Sequence, residues 1–365
     1  MERDLMSFTW KIILTLLCAG VLSLGLTPLV KWLACKLGAV DVPKDERRMH
    51  HKPIPRMGGL AIFLGFVTAV LLFLDIGREV RGILIGGTII MVLGILDDAL
   101  TLRALPKFAV QIAAAVIAVG HGCRIEHIMG ASLAPWLSWV LSIFWIVCIT
   151  NAINFIDGLD GLAAGVSTIS AGSMLVIALI LVPEGNSVSS AILLAACVGA
   201  CIGFMPYNFN PAKIFMGDTG STFLGFILSS VSIFGLFKTY AVISFAIPFL
   251  VLGLPIFDIT FAVIRRVSRG QSPMHADRGH VHHRLIDMGF SQKQAVAICY
   301  LLSAVLGFSA VVLTDSGEIQ ALILLAAIVI VAAIAIFVIY ELHRRPRHKA
   351  APPAEEQKEE PHEED

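Results

Sequence analysis

The sequence predicts an all-α polytopic membrane protein, and three observations support this fold class. Of the 365 residues, 57% are hydrophobic and only 15% are charged, whereas soluble domains carry roughly 25% charged residues. The mean hydropathy is +0.83. The apolar residues form many separate runs along the whole chain rather than one anchor. The lipid bilayer is therefore the solvent for most of the protein.

Each candidate span must supply about 20 mostly apolar residues to cross about 30 Å of hydrocarbon. The first run is too long for a signal-peptide core and has no convincing cleavage site, so we expect a retained helix. The third and fourth runs are short, which leaves ten spans as the alternative to eleven. The eleven runs lie at 10–33, 57–74, 82–96, 107–120, 136–153, 162–182, 188–205, 219–236, 239–264, 294–313 and 319–341.

The distribution of basic residues predicts the orientation, because cytoplasmic loops carry an excess of Lys and Arg. One alternating set of loops holds 21 of the 27 Lys and Arg residues. We expect this set to be cytoplasmic, with the N-terminus outside and the C-terminus inside. The set comprises 31–56, 97–106 together with Lys107, 154–161, 206–218, 265–293 and the tail after 341.

The chain is predicted to consist of a membrane domain over 1–343 and a short tail over 344–365. The tail begins with a basic juxtamembrane segment and continues as an Ala/Pro and Glu-rich stretch with nothing to bury, which indicates disorder. The net charge of zero gives no support for nucleic-acid binding. The seven cysteines form no CxxC pair and mostly lie in apolar runs, so we interpret them as buried apolar residues.

Polar residues gather at the predicted cytoplasmic ends of helices rather than in the middle of the spans. A transporter of lipid-linked substrates would need ionisable residues near the bilayer midplane, and we keep it as the alternative of another class. The observed distribution favours an interfacial site that a water-soluble substrate reaches from one side.

The first acidic cluster is the pair Asp97 and Asp98, at the end of the third run. Adjacent carboxylates repel each other, and the macrodipole of a helix C-terminus disfavours negative charge. A cation or a shared proton would relieve both costs, so the pair is a candidate metal site or general base. The alternative interpretation is a solvated helix end.

A second acidic cluster contains Asn154, Asp157 and Asp160, spaced three residues apart. Each of the two aspartates is followed by a glycine. These Asp-Gly steps indicate a tight loop, which would place the three side chains on one side. Their carboxylate and amide oxygens suit a hard cation, with Asn154 as one ligand, or sugar hydroxyls. The alternative is a simple turn between helices.

A third cluster places Asp218 between Gly217 and Gly220, at the start of the eighth run. The carboxylate could cap that helix. It could equally bind a metal while neighbouring N–H groups face phosphate oxygens. The GxxxxGK[ST] pattern of a Walker A loop is absent from the sequence.

Two basic segments complement the acidic clusters. The segment 275–284 predicts phosphate or pyrophosphate binding, and a solvated loop is the alternative. A zinc site is less favoured because no cysteine and no HExxH frame lie nearby. The segment 41–59 either sets the topology or forms a second anion site through Lys52 and Arg56. Acidic clusters beside basic ones suit phosphoryl transfer with a divalent metal. The first segment contains Arg278, His280, His282, His283 and Arg284.

Five motifs in this order resemble the polyprenyl-phosphate N-acetylhexosamine-1-phosphate transferases, the glycosyltransferase 4 family. The resemblance covers most of the chain, from residue 45 to about 290. The HxHHR pattern is most similar to the undecaprenyl-phosphate N-acetylglucosamine branch, since the translocase branch for phospho-MurNAc-pentapeptide shows three consecutive histidines. The motifs are PRMGG at 55–59, Asp97-Asp98, NFIDGLDGL at 154–162, NFNPAKIFMGDTGS at 208–221 and HVHHR at 280–284.

The resemblance implies transfer of GlcNAc-1-phosphate from UDP-GlcNAc to undecaprenyl phosphate, with release of UMP. It implies Mg²⁺, or Mn²⁺, at Asp218 and the pair Asp97 and Asp98 beside the lipid phosphate. It implies a multi-pass enzyme of the bacterial inner membrane that starts a cell-envelope polysaccharide such as lipopolysaccharide or teichoic acid. The remaining implied substrate contacts are Asn154, Asp157, Asp160, Asn208, Phe215, His280, His282 and His283.

The chemistry leaves two routes open. Asp97 or Asp98 could deprotonate the lipid phosphate for a single displacement, or one of them could attack first and form a covalent intermediate. We favour the single displacement because the acceptor phosphate is already a competent nucleophile. Another UDP-N-acetylhexosamine or UDP-MurNAc-pentapeptide stays open as the donor. The protein could also form a homodimer.

Overall fold

The computed structural model describes residues 2–42, 53–128, 131–181, 187–235, 242–271 and 279–315. These residues all lie within one compact unit, Met1–Ala321. The described part contains twelve helices, which confirms the predicted all-α class. They are α1 (Glu2–Lys36), α2 (Gly59–Phe73), α3 (Arg78–Leu100), α4 (Ala104–Gly120), α5 (Pro135–Ile156), α6 (Leu162–Ile180), α7 (Ser187–Asn208), α8 (Gly217–Gly235), α9 (Val242–Val251), α10 (Gly253–Ser268), α11 (Val281–Asp287) and α12 (Gln292–Asp315).

Six helices in the described residues are long and apolar enough to cross a membrane, namely α1, α3, α5, α6, α7 and α12. The shorter apolar helices α2 and α4 coincide with the second and fourth predicted runs. The eighth run forms α8. The protein is therefore a multi-pass membrane protein, while the eleventh run, 319–341, and the predicted tail lie outside the described residues.

The run predicted as one span over 239–264 is divided by the structure into α9 and α10, which meet at Leu252. Pro248 lies inside α9, and Pro255 lies in the first turn of α10. Because proline has no backbone N–H, Pro255 cannot donate to the carbonyl one turn before it. The break follows from this local chemistry rather than from hydropathy.

Helix α1 packs closely against α7 through glycine. A Cβ added at Gly199 would meet the carbonyl oxygen of Leu16, and one added at Gly203 would meet that of Gly20. Gly199 and Gly203 form a GxxxG pattern, which allows two helix backbones to approach in lipid. Larger residues at these positions would separate the helices.

Helix α8 is the central element of the bundle, with every residue from Thr219 to Phe234 buried. A helix that is buried all round needs small or apolar side chains on every face. The ring of Phe223 makes edge contacts with Phe63 and Phe66 of α2, at centroid distances of 5.3 and 5.5 Å. This core fixes the N-terminus of α8, where Gly217 and Asp218 lie.

Two short antiparallel strand pairs complete the described fold. Strand β1 (Val40–Asp41) pairs with β2 (Ile54–Pro55), and β3 (His127–Ile128) pairs with β4 (Ala131–Ser132). The segment after β2 is tied to the start of α8, because the N–H groups of Gly58 and Gly59 donate to the carbonyls of Phe215 and Met216. The PRMGG and MGDTG motifs are thereby neighbours.

Candidate active site

A cleft of about 390 Å³ lies where the C-terminal ends of α3 and α5 meet the N-terminal end of α8. Nine of the residues singled out in the sequence line it, so the fold brings the separate motifs to one place. The lining residues are Asp41, Arg56, Asp98, Asn154, Asp157, Gly158, Leu159, Asp160, Asn208, Phe215, Gly217, Asp218, His283 and Gln292.

Asp98 caps helix α8 from the neighbouring helix α3. Its Oδ1 accepts from the N–H of Asp218 at 3.0 Å, and its Oδ2 accepts from the N–H and the hydroxyl of Thr219 at 3.0 and 2.5 Å. Gly217 has a φ of +72°, and an added Cβ would clash with the Asp98 carboxylate. The carboxylate that the sequence suggested as a base is thus engaged by three donors of α8.

Asp97 and Asp218 converge on one cation, Lys107 of α4. The Lys107 Nζ lies 2.7 Å from Asp97 Oδ2 and 3.0 Å from Asp218 Oδ2. The other Asp97 oxygen accepts from the N–H of Leu102 at 2.7 Å. Sequence reasoning counted Lys107 only as a topology-setting charge. Its position at the first turn of an apolar run, ten residues after Asp97, was the signal for a role in the site.

Asn154 orients Asp218 in the cleft. Its Nδ2 donates to Asp218 Oδ1 at 3.1 Å and to the Ser221 hydroxyl at 2.9 Å. This arrangement leaves the amide oxygen of Asn154 for a ligand. Asn154 and Asp218, predicted together as metal ligands, are therefore direct neighbours.

Asp157 lies in the loop between α5 and α6, amid the other carboxylates. Burial, together with the negative charges of Asp218, Asp98 and Asp160, raises the pKa of Asp157 to about 8. Burial and the three neighbouring carboxyl groups therefore disfavour the ionised form of Asp157. A cation bound nearby would favour that form.

Asp160 and Asn208 hold the loops that form the wall of the cleft. Asp160 Oδ2 accepts from Asn210 Nδ2 and from the N–H of Ala212, both at 3.0 Å. Asn208 accepts from the N–H of Gly161 at 3.1 Å and donates to the carbonyl of Ile214 at 3.0 Å. The second oxygen of Asp160 is not part of these bonds, whereas both ends of the Asn208 amide are used.

Phe215 and an ion pair between Arg56 and Asp41 also line the cleft. Arg56 Nη2 lies 2.8 Å from Asp41 Oδ1, next to the β1–β2 pair. The N–H of Phe215 donates to the carbonyl of Pro55 at 2.8 Å, and the partly buried Phe215 side chain lines the cleft. Lys52, the other predicted member of this anion site, lies outside the described residues. Gln292 of α12 also lines the cleft. It lies outside the five sequence motifs, so no sequence signal pointed to it.

The three histidines have different environments. His283 lines the cleft, whereas His280 and His282 are 7% and 2% exposed and lie behind it. Burial and the neighbouring His283 lower the pKa of His282 to about 3, so its ring is neutral. The expected cluster of cationic side chains is thus a packed stack with one member at the cleft. Arg284 is exposed and does not line the cleft.

The donor set fits a hard divalent cation. Two carboxylate oxygens, from Asp97 and Asp218, already converge within 3.0 Å of a single positive charge. In the described part of the chain, no group of three His, Cys, Asp or Glu residues forms a complete protein cage. Mg²⁺ does not require such a cage. It is commonly bound through one or two carboxylates, with substrate phosphates and water supplying the remaining ligands.

Fold and site together define a multi-pass membrane enzyme with a polar cleft at one end of its helix bundle. The sequence profile of glycosyl transferase family 4 matches residues 80–236. Among similar proteins is a Bacillus subtilis (strain 168) protein named "Probable undecaprenyl-phosphate N-acetylglucosaminyl 1-phosphate transferase". It is 44% identical over 313 residues, which are 84% of this chain and 86% of the relative.

Two further relatives have names that give other substrates. The decaprenyl-phosphate N-acetylglucosaminephosphotransferase of Mycolicibacterium smegmatis is 36% identical, covering 90% of this chain and 88% of the relative. The phospho-N-acetylmuramoyl-pentapeptide-transferase of Gloeothece citriformis is 32% identical, covering 80% and 84%. The chain belongs to glycosyl transferase family 4, as the five ordered motifs predicted.

Proposed function

We propose that this protein transfers GlcNAc-1-phosphate from UDP-GlcNAc to undecaprenyl phosphate and releases UMP. The observation that carries the proposal is the convergence of Asp97 and Asp218 on one positive charge, with Asp218 itself lining a cleft formed by the family motifs. The 44% identity to a relative whose name carries this activity supports the choice of substrates.

The reaction is a single displacement at the β-phosphorus of the nucleotide sugar. An oxygen of the lipid phosphate forms a bond to that phosphorus, and the bond from phosphorus to the bridging oxygen breaks. The electron pair leaves with UMP, and the product is undecaprenyl diphosphate-linked GlcNAc. The obstacle is repulsion between two anionic phosphates, so catalysis depends on positioning and positive charge.

Asp218 would hold Mg²⁺, with Mn²⁺ as the alternative, and Asn154 would supply an amide oxygen. The metal neutralises phosphate charge when it is bound. Asp97 is the better candidate for the lipid-phosphate side, because each of its oxygens accepts a single hydrogen bond. Asp98 acts through its cap on α8, which fixes Asp218.

The nucleotide sugar would occupy the cleft. Phe215 offers an aromatic face, Asp160 a second carboxylate oxygen, and Asp157 a carboxylate beside the metal. His283 and Arg56 supply donors for the pyrophosphate. Asn208, His280 and His282 support these groups from behind.

The cleft would face the cytoplasm of a bacterium, at its inner membrane, because UDP-sugars are cytoplasmic and the basic loops lie on the same side. The enzyme would begin a cell-envelope polysaccharide. A donor with a bulky peptide is the second candidate, supported by the 32% identity to the pentapeptide transferase.

The test is UMP release by purified protein in detergent, with UDP-GlcNAc or UDP-MurNAc-pentapeptide as donor. We expect release from UDP-GlcNAc that requires both undecaprenyl phosphate and Mg²⁺. Efficient use of the pentapeptide donor would move the protein to the other branch. No release with either donor would contradict the transferase proposal.

Asp218→Asn tests the metal assignment. The substitution keeps size and one oxygen but removes the charge that a hard cation needs. Turnover should fall by orders of magnitude at saturating Mg²⁺, while the protein still inserts and purifies. Asp75→Asn, at an exposed carboxylate before α3, is the matched control and should retain full activity. Near-normal turnover by Asp218→Asn would show that Asp218 serves only its helix.

A further inference from the structure

A buried carboxylate outside the cleft, Asp258 of α10, makes two hydrogen bonds to the histidine segment. It is 2% exposed. Its Oδ2 lies 2.7 Å from His280 Nδ1, and its Oδ1 accepts from the N–H of Val281 at 2.8 Å. A carboxylate this deeply buried is costly without such partners. Asp258 therefore connects α10 to the first residue of α11 and to the ring before it.

The bond to Asp258 fixes which nitrogen of His280 carries a proton. An ionised carboxylate only accepts hydrogen bonds, so Nδ1 of His280 must donate. In the neutral ring, Nε2 then keeps its lone pair. One contact thus sets both the orientation and the tautomer of His280.

His280 is the innermost of three stacked imidazoles, and the outermost, His283, lines the cleft. Its ring is parallel to that of His282, with centroids 5.8 Å apart and an angle of 4°. The His282 and His283 centroids are 4.3 Å apart, and His283 lines the cleft. The His282 ring also packs on Gly158, where an added Cβ would clash with it.

We propose that Asp258 is a positioning residue of the transfer reaction, which holds His283 and the 157–161 loop at the substrate by fixing His280 and the start of α11. The inference rests on the proposed function. Because interiors are close-packed, rotation of His280 would displace both His282 and the loop that carries Asp157. A misplacement of about 1 Å in a catalytic group costs about a hundredfold in rate.

Asp258→Asn is the informative substitution. Asparagine keeps the shape and an oxygen for the Val281 N–H, but its NH₂ group opposes the Nδ1 proton of His280. His280 must rotate or move its proton to Nε2. We expect kcat to fall about ten- to hundredfold, while KM for UDP-GlcNAc stays within about threefold. A role in folding alone would lower the thermal midpoint and leave both constants of the folded enzyme unchanged.

A double-mutant cycle with His280→Ala tests whether Asp258 acts through His280. In that background Asp258→Asn should add no further loss, because its target is absent. Wild-type kcat and KM in Asp258→Asn, or the same loss with and without His280, would overturn the inference. Asp75→Asn is the control. The wild-type enzyme is measured alongside, so the absence of any turnover would count against the proposed function instead.

Discussion

At the scale of single residues, Lys107 occupies the point between Asp97 and Asp218 that a metal ion would approach. Its Nζ is within 3.0 Å of both carboxylates. A positive charge so close competes electrostatically with a second cation. A metal ion at the proposed site would therefore require Lys107 to move away or to share the two carboxylates.

Lys107→Met should increase Mn²⁺ affinity in the absence of substrates, because the carboxylates lose their resident positive charge. Electron paramagnetic resonance of free Mn²⁺ during titration measures this binding directly. Turnover should fall at the same time, since positive charge near the phosphates is lost. Lys36→Met, whose ammonium lies over the Trp32 ring at 5.1 Å, is the matched control. Weaker Mn²⁺ binding by Lys107→Met would show that the lysine supports the metal site rather than competing with it.

The raised pKa of Asp157 should make the folded protein less stable as pH rises. Its folded-state pKa of about 8 lies above the ordinary value of about 3.9. Between these values the folded state binds more protons than the unfolded state, so stability falls as pH rises. This loss is absent below pH 4 and complete above pH 8.

Asp157→Asn removes that titration. In detergent with EDTA, the thermal midpoint of Asp157→Asn should exceed that of the wild type by an amount that grows from about pH 5 to pH 8. Thermal unfolding curves across this range provide the measurement, with Asp75→Asn as the control. Parallel curves for wild type and Asp157→Asn would contradict the raised pKa.

At the scale of secondary structure, the contact between α3 and α8 builds the site. Asp98 at the end of α3 caps α8, and Gly217 leaves room for its carboxylate. The start of α8 thus depends on a residue 120 positions earlier in the chain. Because Asp218 is the next residue after Gly217, the cap also determines where the proposed metal ligand points.

Asp98→Asn should destabilise the protein by about 1–3 kcal/mol, since its NH₂ group cannot accept from the α8 donors. Asp97→Asn should destabilise it less, because its carboxylate accepts only from Leu102 and Lys107 in the described structure. Thermal midpoints and turnover of the two variants separate the roles. We expect the larger fall in midpoint for Asp98 and loss of turnover for both. Equal midpoints would show that the cap contributes little.

At the scale of the whole molecule, the loops around the cleft should share one side of the membrane. Single cysteines at Leu100, Lys213 and Lys293, all exposed, test this arrangement in a cysteine-free background. In intact cells a membrane-impermeant thiol reagent should label none of them, while cysteines at Asp75 and Ala131 should react. Labelling of one of the first three would contradict a shared cytoplasmic site.

Much of the molecule followed from the sequence. The apolar runs predicted α2 to α8 and α12 within four residues at each end, and α1 apart from its first eight residues. Hydropathy over about 20 residues decides membrane insertion. The five motifs also predicted the family. The glycines beside Asp157 and Asp218 predicted the tight loop and the helix start at these residues, because glycine affects the backbone over only a few residues.

Sequence alone determined that the chain is a membrane protein with carboxylate and histidine motifs of one enzyme family. The tertiary structure decided what each polar group does. It divided the acidic pair, placing Asp98 on the α8 donors and Asp97 on Lys107. It also buried His280 and His282 behind His283. These roles depend on contacts between distant segments, and hydrogen bonding and burial across such contacts cannot be deduced from spacing along the chain.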